Sequence, residues 1–425
     1  MITPEGQRVE MGDPAMPDGT CGKRRNPCKI NADGIFRRDN AQVMSIMQAA
    51  ADTTYTYVDR DEALHELLAW MAPAGRVAID IEADSLYHYH EKVCLVQLTV
   101  RGRNFVVDPL AKLGLGPFVA ALAHKTLILH GADYDLWMLR SSFGFRPRAG
   151  VIDTMMAARL LGYEKPGLSS LVEQFFGQAF SKSGQKSDWS RRPLSPAQLH
   201  YAVDDTRYLE PLADRLLAEL SRLGRRHWFE QGCEAAIEAT AGDREADPDR
   251  QWRIKGVRDL TRPQAAFARE LWRWREREAQ RVDRPPFKVL GDDRLLALAV
   301  WAERHPRAGL AQAPGLPRDF RGRRLESLRE AIHRAGRLGP SDWPEPRLRP
   351  SGKRQFPRRG CSRLRDGVAR LAAELGLEPS VIAPRTALEE ISRLRPRDGA
   401  GIQHAGGLLR WQAELLLPVV RRALA

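Results

Sequence analysis

The chain has 425 residues, of which 43% are hydrophobic and 7% aromatic, and it carries a formal net charge of +13 at pH 7. This length can bury the cores of two or three domains, and the composition indicates a globular protein. No apolar run approaches the ~20 residues of a membrane span and no signal peptide is visible, which argues against a membrane protein and a secreted one.

The first half of the chain predicts an α/β domain. Residues 1–51 lack hydrophobic periodicity and predict a poorly ordered N-terminal arm. A strand at 55–58 and an amphipathic helix at 59–70 follow, with Asp59 as a candidate N-cap. Further strands are predicted at 77–82, 92–100 and 104–107, and helices at 115–123, 133–142, 153–161, 168–176, 195–200 onward and 204–220. This alternation predicts a mixed sheet with flanking helices over residues 52–240.

The second half of the chain predicts helices only. A charged linker is expected at 241–249, followed by helical domains at 258–338 and 361–425. Residues 251–425 hold 37 Lys and Arg against 20 Asp and Glu, a net charge of +17, so the first 250 residues carry −4. Such a basic region favours binding to phosphates. The alternative is an arginine-rich composition spread over solvated helix faces.

Four acids and a tyrosine lie in three short motifs. Asp80 and Glu82 are two residues apart in a β-branched run, so on a strand they project from one face. Asp135 follows in a second motif, and Tyr201 and Asp205 are four apart in a helical stretch. Carboxylates in place of core side chains are costly unless something offsets their charge. Because hard oxygen ligands suit Mg²⁺ or Mn²⁺, the motifs predict a divalent metal site.

The order and spacing of these motifs resemble the tyrosine-bearing branch of the DEDD superfamily of 3′-5′ exonucleases. The likeness continues through residues 94–98, 107–110, 151–161 and 187–194. The double proline Pro285-Pro286 before Phe287 resembles the HRDC domain, the helical module shared by RecQ helicases and ribonuclease D, and residues 361–425 resemble a weaker second copy. The resemblance implies a ribonuclease H-like fold followed by all-α HRDC-type domains.

The same resemblance implies a metal-dependent 3′-5′ exoribonuclease that releases 5′-mononucleotides from structured RNA, with tRNA precursors as expected substrates. Two Mg²⁺ or Mn²⁺ ions about 3.5–4 Å apart would activate water and stabilise the leaving oxygen. Asp80 would bridge both ions, Glu82 and Asp205 would complete one site, and Asp135 would serve mainly the other. Tyr201 would orient the attacking water, because a free tyrosine pKa of about 10 disfavours a role as base.

Two of these acids have a neighbour that competes for the same role. Asp133 is an alternative to Asp135, and Asp204 to Asp205. We choose Asp135 because the family's second acid is followed directly by an apolar helix, and Asp205 because the Tyr-x-x-x-Asp spacing requires it. Asp133 is expected to be a helix N-cap instead, and Asp153 to cap the helix that follows it.

Three residues are candidates for substrate binding: His130, Trp189 and Arg192. A satisfied core histidine would explain His130 equally well, and packing alone would explain Trp189. The family's frequent Phe after the first Glu is Ala83 here. The residue that wedges the terminal base is therefore open, with Leu86 and Tyr87 as candidates.

Other functions are weighed against this interpretation. One alternative is a DNA-directed 3′-5′ exonuclease, although no polymerase motifs follow the nuclease motifs. Another is a non-catalytic nucleic-acid-binding protein, although all four acids and the tyrosine are present. A helicase is excluded by the lack of a G-x-x-x-x-G-K-[ST] loop. Five scattered cysteines indicate a reducing compartment, so we expect a cytoplasmic monomer that binds RNA and no membrane.

Overall fold

The computed structural model describes residues 54–180, 184–242, 247–317, 320–346 and 358–424. The predicted arm at 1–51 lies outside the described residues, as does part of the predicted linker at 241–249. Within the described ranges, no helix has both the length and the apolar character needed to cross a bilayer.

A six-stranded mixed sheet forms the centre of the first domain. Its strands are β1 (Tyr55–Val58), β2 (Arg76–Ala83), β3 (Val93–Val100), β4 (Arg103–Val107), β5 (Thr126–Leu129) and β6 (Val151–Asp153), in the order β1-β4-β3-β2-β5-β6. Strands β2, β3 and β4 are antiparallel, whereas β1 pairs with β4, and β5 with β2 and β6, in parallel. The mixed sheet and the ribonuclease H-like arrangement of an antiparallel meander followed by parallel strands are confirmed.

Helices cover both faces of this sheet. They are α1 (Asp61–Met71), α2 (Gly116–Ala123), α3 (Ala132–Phe143), α4 (Thr154–Leu161), α5 (Leu168–Phe176), α6 (Pro196–Arg207), α7 (Leu209–Arg222) and α8 (Arg226–Ala241). On one face of the sheet, Val77, Ile79 and Ile81 of β2 pack in an apolar core with α1, α2 and α3. On the other face, Ala78 packs in a second core with α4, α5, α7 and α8. By the two-residue period of a strand, Asp80 and Glu82 lie on the same face as Ala78.

Some local predictions differ from the structure. The prediction that Asp59 caps the first helix is wrong, because α1 has Arg60 at its N-cap position and no side-chain cap bond. Strands β5 and β6 were not predicted, since four and three residues are too short to show alternation. Helix α8 was also not predicted.

The rest of the described chain is helical, as predicted. It contains α9 (Pro248–Gln251), α10 (Arg262–Arg281), α11 (Pro286–Val289), α12 (Asp292–Arg304), α13 (Gly322–Gly336), α14 (Arg358–Leu375), α15 (Pro379–Ile382), α16 (Arg385–Leu394), α17 (Gly399–Gly406) and α18 (Arg410–Leu424). Helices α10 to α13 share one apolar core and α14 to α18 share another. We call these two bundles the first and the second helical domain.

The second helical domain packs against the first domain, which contains the six-stranded sheet. The ring of Trp411 on α18 stacks on that of Trp228 on α8, with centroids 4.7 Å apart and an angle of 14° between the planes. The guanidinium of Arg225 donates to the carbonyl oxygens of Leu160 and Leu375 at 2.7 and 2.6 Å. Apolar stacking and buried hydrogen bonds therefore join the two domains.

Candidate active site

Three of the predicted acids meet above the centre of the sheet. Strand β2 supplies Asp80 and Glu82, and helix α6, which packs over β2 and β3, supplies Asp205. One carboxylate oxygen from each of the three lies within 4.8 Å of the others. The register of β2 against β3 shifts between Glu82 and Ala83, at the end of the acidic motif. Such irregularities are frequent beside active sites, where they redirect a side chain.

The fourth acid, Asp135, reaches the same site from α3, in the segment that follows β5. It is only 7% exposed, whereas Asp133 one half-turn earlier is exposed to solvent. The pKa of Asp80 is raised well above its usual range by burial and by the charges of Asp135, Asp205 and Glu82. The carboxylate of Asp135 is therefore close enough to Asp80 to act on it. In the third motif, Asp204 forms an ion pair with Arg207 at 2.7 Å, which leaves Asp205 as the acid of the cluster.

Mutual repulsion and burial raise the pKa of every acid in this cluster. Burial and the charges of Asp205 and Asp135 raise the pKa of Glu82 to about 9. Burial, with Asp153 and Asp205, raises that of Asp135 to about 8, and burial raises that of Asp205 to about 7. Such crowded carboxylates are stable in their ionised form only beside a cation. A hard-oxygen donor set of this kind fits Mg²⁺ or Mn²⁺.

Tyr201 lies one helical turn before Asp205. Helix α6 is fixed at its start by a capping box, in which the Ser195 hydroxyl accepts from the backbone N–H of Gln198. Burial and the charges of Asp205 and Glu82 raise the pKa of Tyr201 well above its usual range. Its hydroxyl donates a hydrogen bond to Asp205. Tyr201 is therefore a neutral hydrogen-bond donor at physiological pH.

A loop of residues 184–194, here called the cover loop, holds the Tyr201 ring in place. A Cβ atom added to Gly184 would lie 2.3 Å from Cγ of Tyr201, so the loop backbone touches the ring. The ring of Trp189 lies 6.0 Å from the Tyr201 ring, measured between centroids. Tyr201 is thus enclosed by a glycine and a tryptophan, a support that the motif alone did not reveal.

In the structure Trp189 and Arg192 support the cover loop, and their contact with substrate stays a prediction. Trp189 is 1% exposed and packs in an apolar cluster under α6. The guanidinium of Arg192 donates to both carboxylate oxygens of Asp108 at 2.6 and 2.7 Å, and to the carbonyl oxygen of Cys94 at 2.7 Å. The burial of one and the hydrogen bonds of the other anchor the cover loop to the sheet.

Asp153 caps two helices at once. Its carboxylate accepts from the backbone N–H groups of Met155 and Met156 at the start of α4, which confirms the predicted cap. It also accepts from Gly131 and Ala132 at the start of α3, and so fixes the helix that carries Asp135. The prediction that Asp133 caps α3 is wrong, because Gly131 holds the N-cap position.

His130 lies between these helix starts, at the end of β5. Its Nδ1 atom is 2.9 Å from the hydroxyl of Thr154, and burial is the main reason that its pKa is lowered to about 4. His130 is therefore a neutral imidazole at physiological pH, and its contact with substrate stays a prediction.

The loop of residues 84–92, which joins β2 to β3, contacts the first helical domain. Nδ1 of His88 lies 2.7 Å from a carboxylate oxygen of Asp283, whose other oxygen accepts from the backbone N–H of Tyr89 at 3.0 Å. The ammonium of Lys288 lies 4.0 Å from the centroid of the Tyr87 ring. Asp283, which contacts this loop, lies two residues before Pro285-Pro286, the double proline that resembles the HRDC pattern.

Of the two candidates for the wedge at the terminal base, Tyr87 is engaged elsewhere. Its hydroxyl donates to the carbonyl oxygen of Lys186 at 2.7 Å. The other candidate, Leu86, is 41% exposed. Tyr134 is similarly exposed, at 40%, and its hydroxyl donates to a carboxylate oxygen of Glu91 at 3.0 Å. Tyr134 was not among the residues predicted from the sequence, although an aromatic residue between two acids, in the segment Asp133-Tyr134-Asp135, was a usable signal.

Comparison with known proteins agrees with this geometry. A family profile described as 3′-5′ exonuclease matches residues 55–221, and an HRDC domain profile matches residues 264–332. A ribonuclease D of Acidiphilium cryptum is 31% identical over 363 residues, covering 84% of this chain and 90% of that protein. A ribonuclease D of Granulibacter bethesdensis is 33% identical over 308 residues, covering 71% of this chain and 77% of that protein. The crystal structure of Escherichia coli RNase D, described as an exoribonuclease involved in structured RNA processing, has a TM-score of 0.69 and 22% identity, covering 87% of this chain and 98% of that one.

Proposed function

This chain belongs to the ribonuclease D family, and from that premise we propose that it removes 5′-mononucleotides from the 3′ ends of structured RNA, with tRNA precursors among its substrates. The observation that carries the proposal is the meeting of Asp80, Glu82 and Asp205 within 4.8 Å, with Asp135 and Tyr201 beside them. Paired carboxylates of this kind suit metal-assisted cleavage of a phosphodiester at a chain end.

Each residue of the cluster has a role in this proposal. Asp80, Glu82, Asp135 and Asp205 would hold two divalent cations, Mg²⁺ or Mn²⁺. Bound cations supply Lewis-acid activation of the attacking water and of the leaving oxygen. Tyr201 donates a hydrogen bond and orients the attacking water, because its raised pKa excludes a role as general base. Leu86 follows the acidic strand in the chain and Tyr134 directly precedes Asp135, and both are exposed, so the 3′-terminal nucleotide would pack on them.

The test uses matched 3′-labelled RNA and DNA oligomers with Mg²⁺ or Mn²⁺. We expect RNA to lose 5′-mononucleotides stepwise from its 3′ end and a 3′-terminal phosphate to obstruct the first step. The Asp80→Asn variant serves as the control, since it keeps the shape of the side chain and removes a ligand charge. Products that carry 3′-phosphates, or digestion of a circular RNA at an equal rate, would reject the exonuclease. Faster digestion of the DNA oligomer would favour the DNA-directed alternative.

We also propose that the first helical domain holds the RNA through a groove between α10 and α13. The groove has a volume of about 350 Å³, and arginines 277, 281, 323 and 334 are among the residues that line it. Arg281 and Arg324 are paired with Glu278, at 2.7 Å each. Burial and the neighbouring Arg334 lower the pKa of Arg277, which indicates crowded positive charge. A groove lined by several arginines suits a phosphate backbone.

Salt dependence separates this role from a general charge effect. Each phosphate contact contributes roughly one unit to the slope of log K against log salt. We expect the double variant Arg277→Gln/Arg323→Gln to weaken binding to a tRNA precursor and to flatten the slope by about two units. The control is Arg385→Gln/Arg410→Gln, which removes the same charge from the second helical domain. Equal slopes in the two double variants would remove the groove from the proposal.

A cytoplasmic monomer completes the proposal. All four acids and Tyr201 come from a single chain, so the site needs no second copy. Light scattering at the concentration of the activity assay tests the monomer, and activity that appears only with dimer formation would contradict it.

A further inference from the structure

Strand β3 places Gln97 directly opposite the central acid of the site. Asp80 and Gln97 are paired residues in the antiparallel register of β2 and β3. Side chains at opposite positions of such a pair lie on the same face, with Cβ atoms about 4.5–5.5 Å apart. The Gln97 carboxamide is therefore on the face that carries Asp80 and Glu82, beneath helix α6. Glu82 is opposite Leu95 instead, so Asp80 is the acid that Gln97 adjoins.

The burial of the Gln97 side chain is not compensated by hydrogen bonds. The residue is 0% exposed, and among the described residues neither its Nε2 nor its Oε1 has a hydrogen-bond partner. Thr99, two residues further along the same face, is satisfied by Asn104 and Thr206 at 2.8 Å each. A buried amide without partners destabilises the fold, so an apolar side chain of equal size would stabilise this position. Unpaired buried groups of this kind point to a role in function.

We propose that Gln97 is a positioning residue that holds the carboxylate of Asp80 for metal binding. The two side chains, both in the described part of the chain, are not hydrogen-bonded to each other in the structure. Once Asp80 is ionised for metal binding, Nε2 of Gln97 would donate to one of its carboxylate oxygens and leave the other free to bind the cation. An ionised carboxylate has only acceptors, and hydrogen bonds from neighbouring donors commonly fix the orientation of metal-binding carboxylates. Gln97 has no contact with substrate, because it is covered by α6. The inference rests on the divalent metal site of the proposed function.

The substitution Gln97→Met tests the inference because it conserves length and removes the amide. The measurements are the affinity for Mn²⁺ by calorimetry without RNA, and the Tm in EDTA. We expect Mn²⁺ to bind about tenfold more weakly, as is common when a residue that supports a metal ligand is removed. The Tm in EDTA should be unchanged or higher, because an unpaired buried amide is gone. The Mn²⁺ concentration for half-maximal activity should rise, with kcat at saturating Mn²⁺ close to the wild-type value.

The control is Val106→Ala, on the other side of Gln97 from Asp80 and also fully buried. It should lower the Tm and leave the Mn²⁺ affinity unchanged. Unaltered Mn²⁺ affinity in Gln97→Met, with normal binding by the wild type, overturns the role of Gln97 alone. Absence of Mn²⁺ binding by the wild type overturns the metal site itself. If Gln97→Met does not fold, Gln97→Leu is measured in the same way, with the same two outcomes.

Discussion

Asp133 and Asp135 are two residues apart on α3, yet only one of them lies with the other acids. Asp135 is buried and its pKa is raised to about 8, chiefly by burial and by the charges of Asp153 and Asp205, whereas Asp133 faces solvent. We expect Asp135→Asn to reduce turnover by orders of magnitude and Asp133→Asn to leave it near the wild-type value. Initial rates on 3′-labelled RNA at saturating Mn²⁺ measure both. Equal losses in the two variants would contradict the choice of Asp135.

The raised pKa values predict how pH affects the stability of the metal-free protein. In the unfolded chain Asp and Glu titrate near pH 4, but in the folded protein Asp205, Asp135 and Glu82 titrate near 7, 8 and 9. The folded state therefore binds more protons between these limits, and its stability falls as pH rises through the folded pKa values. We expect the Tm in EDTA to fall as the pH rises from about 5 to about 9. Circular dichroism melting curves recorded at intervals of about 1 pH unit measure this decline.

Added Mn²⁺ should reverse this trend, because the cation competes with protons for the same carboxylates. The stabilisation by Mn²⁺ should therefore grow with pH. The Asp135→Asn variant removes one titrating group and should show a shallower decline in EDTA. A Tm in EDTA that rises steadily over this range would contradict the raised pKa values.

The acids and the tyrosine could be predicted from the sequence because spacing along one element decides which side chains share a face. Their supports could not. The hydrogen bonds of Arg192 reach Asp108 and Cys94, 84 and 98 residues earlier in the chain. No local pattern contains a contact over such distances. The substrate role predicted for Arg192 and Trp189 rests on their position in the motif and stays a prediction, whereas their support of the cover loop is visible only in the structure.

At the level of secondary structure elements, the cover loop lies directly against the ring of Tyr201, the residue proposed to orient the attacking water. Gly184→Ala would place a methyl group 2.3 Å from Cγ of Tyr201, so the ring or the loop must shift. We expect kcat to fall while KM for RNA changes little, because in the proposed function Tyr201 orients the attacking water and does not bind the rest of the substrate. The control is Gly114→Ala, where the added methyl meets no atom within 4 Å. A kcat equal to that of the control would show that the cover loop does not position Tyr201.

The elements that could be predicted are those with enough residues to show a period. Strand β2 alternates over eight residues, and α10 has 20 residues with a capping box at Thr261. Strand β6 has three residues, and its place in the sheet is set by its parallel pairing with β5. That pairing depends on the crossover through α3, which aligns two segments that are distant in sequence. Tertiary context, and not local preference, therefore decides the shortest strands.

Across the whole molecule, both helical domains touch the nuclease domain. Asp283 of the first contacts His88 and Tyr89 in the loop that follows the acidic strand, and Trp411 of the second stacks on Trp228. Deleting residues from about 250 onward would therefore uncover apolar side chains of the nuclease domain and release that loop. Any change in cleavage would combine lost RNA binding with altered stability. Point variants in the arginine groove avoid this ambiguity.

The contact between Trp411 and Trp228 predicts that the second helical domain and the nuclease domain unfold together. Trp411 is 3% exposed and belongs to the same apolar cluster as Leu212 and Phe229 of the nuclease domain. Replacing a buried tryptophan by alanine costs about 3–5 kcal/mol. We expect Trp411→Ala to lower the Tm of the nuclease domain, and Leu394→Ala, at an exposed position of the same helical domain, to leave it unchanged.

Two measurements of thermal unfolding test this coupling: calorimetry of the whole protein, and a fluorescence signal that reports on the nuclease domain. If the two domains share one cooperative core, the loss at Trp411 shifts a single transition to lower temperature. A variant in which only a minor transition moves, while cleavage of a short single strand persists to the wild-type temperature, would show independent unfolding. In that case the stacked tryptophans orient the domains without stabilising the nuclease, and removal of residues 358–424 becomes a clean test of RNA binding by the second helical domain.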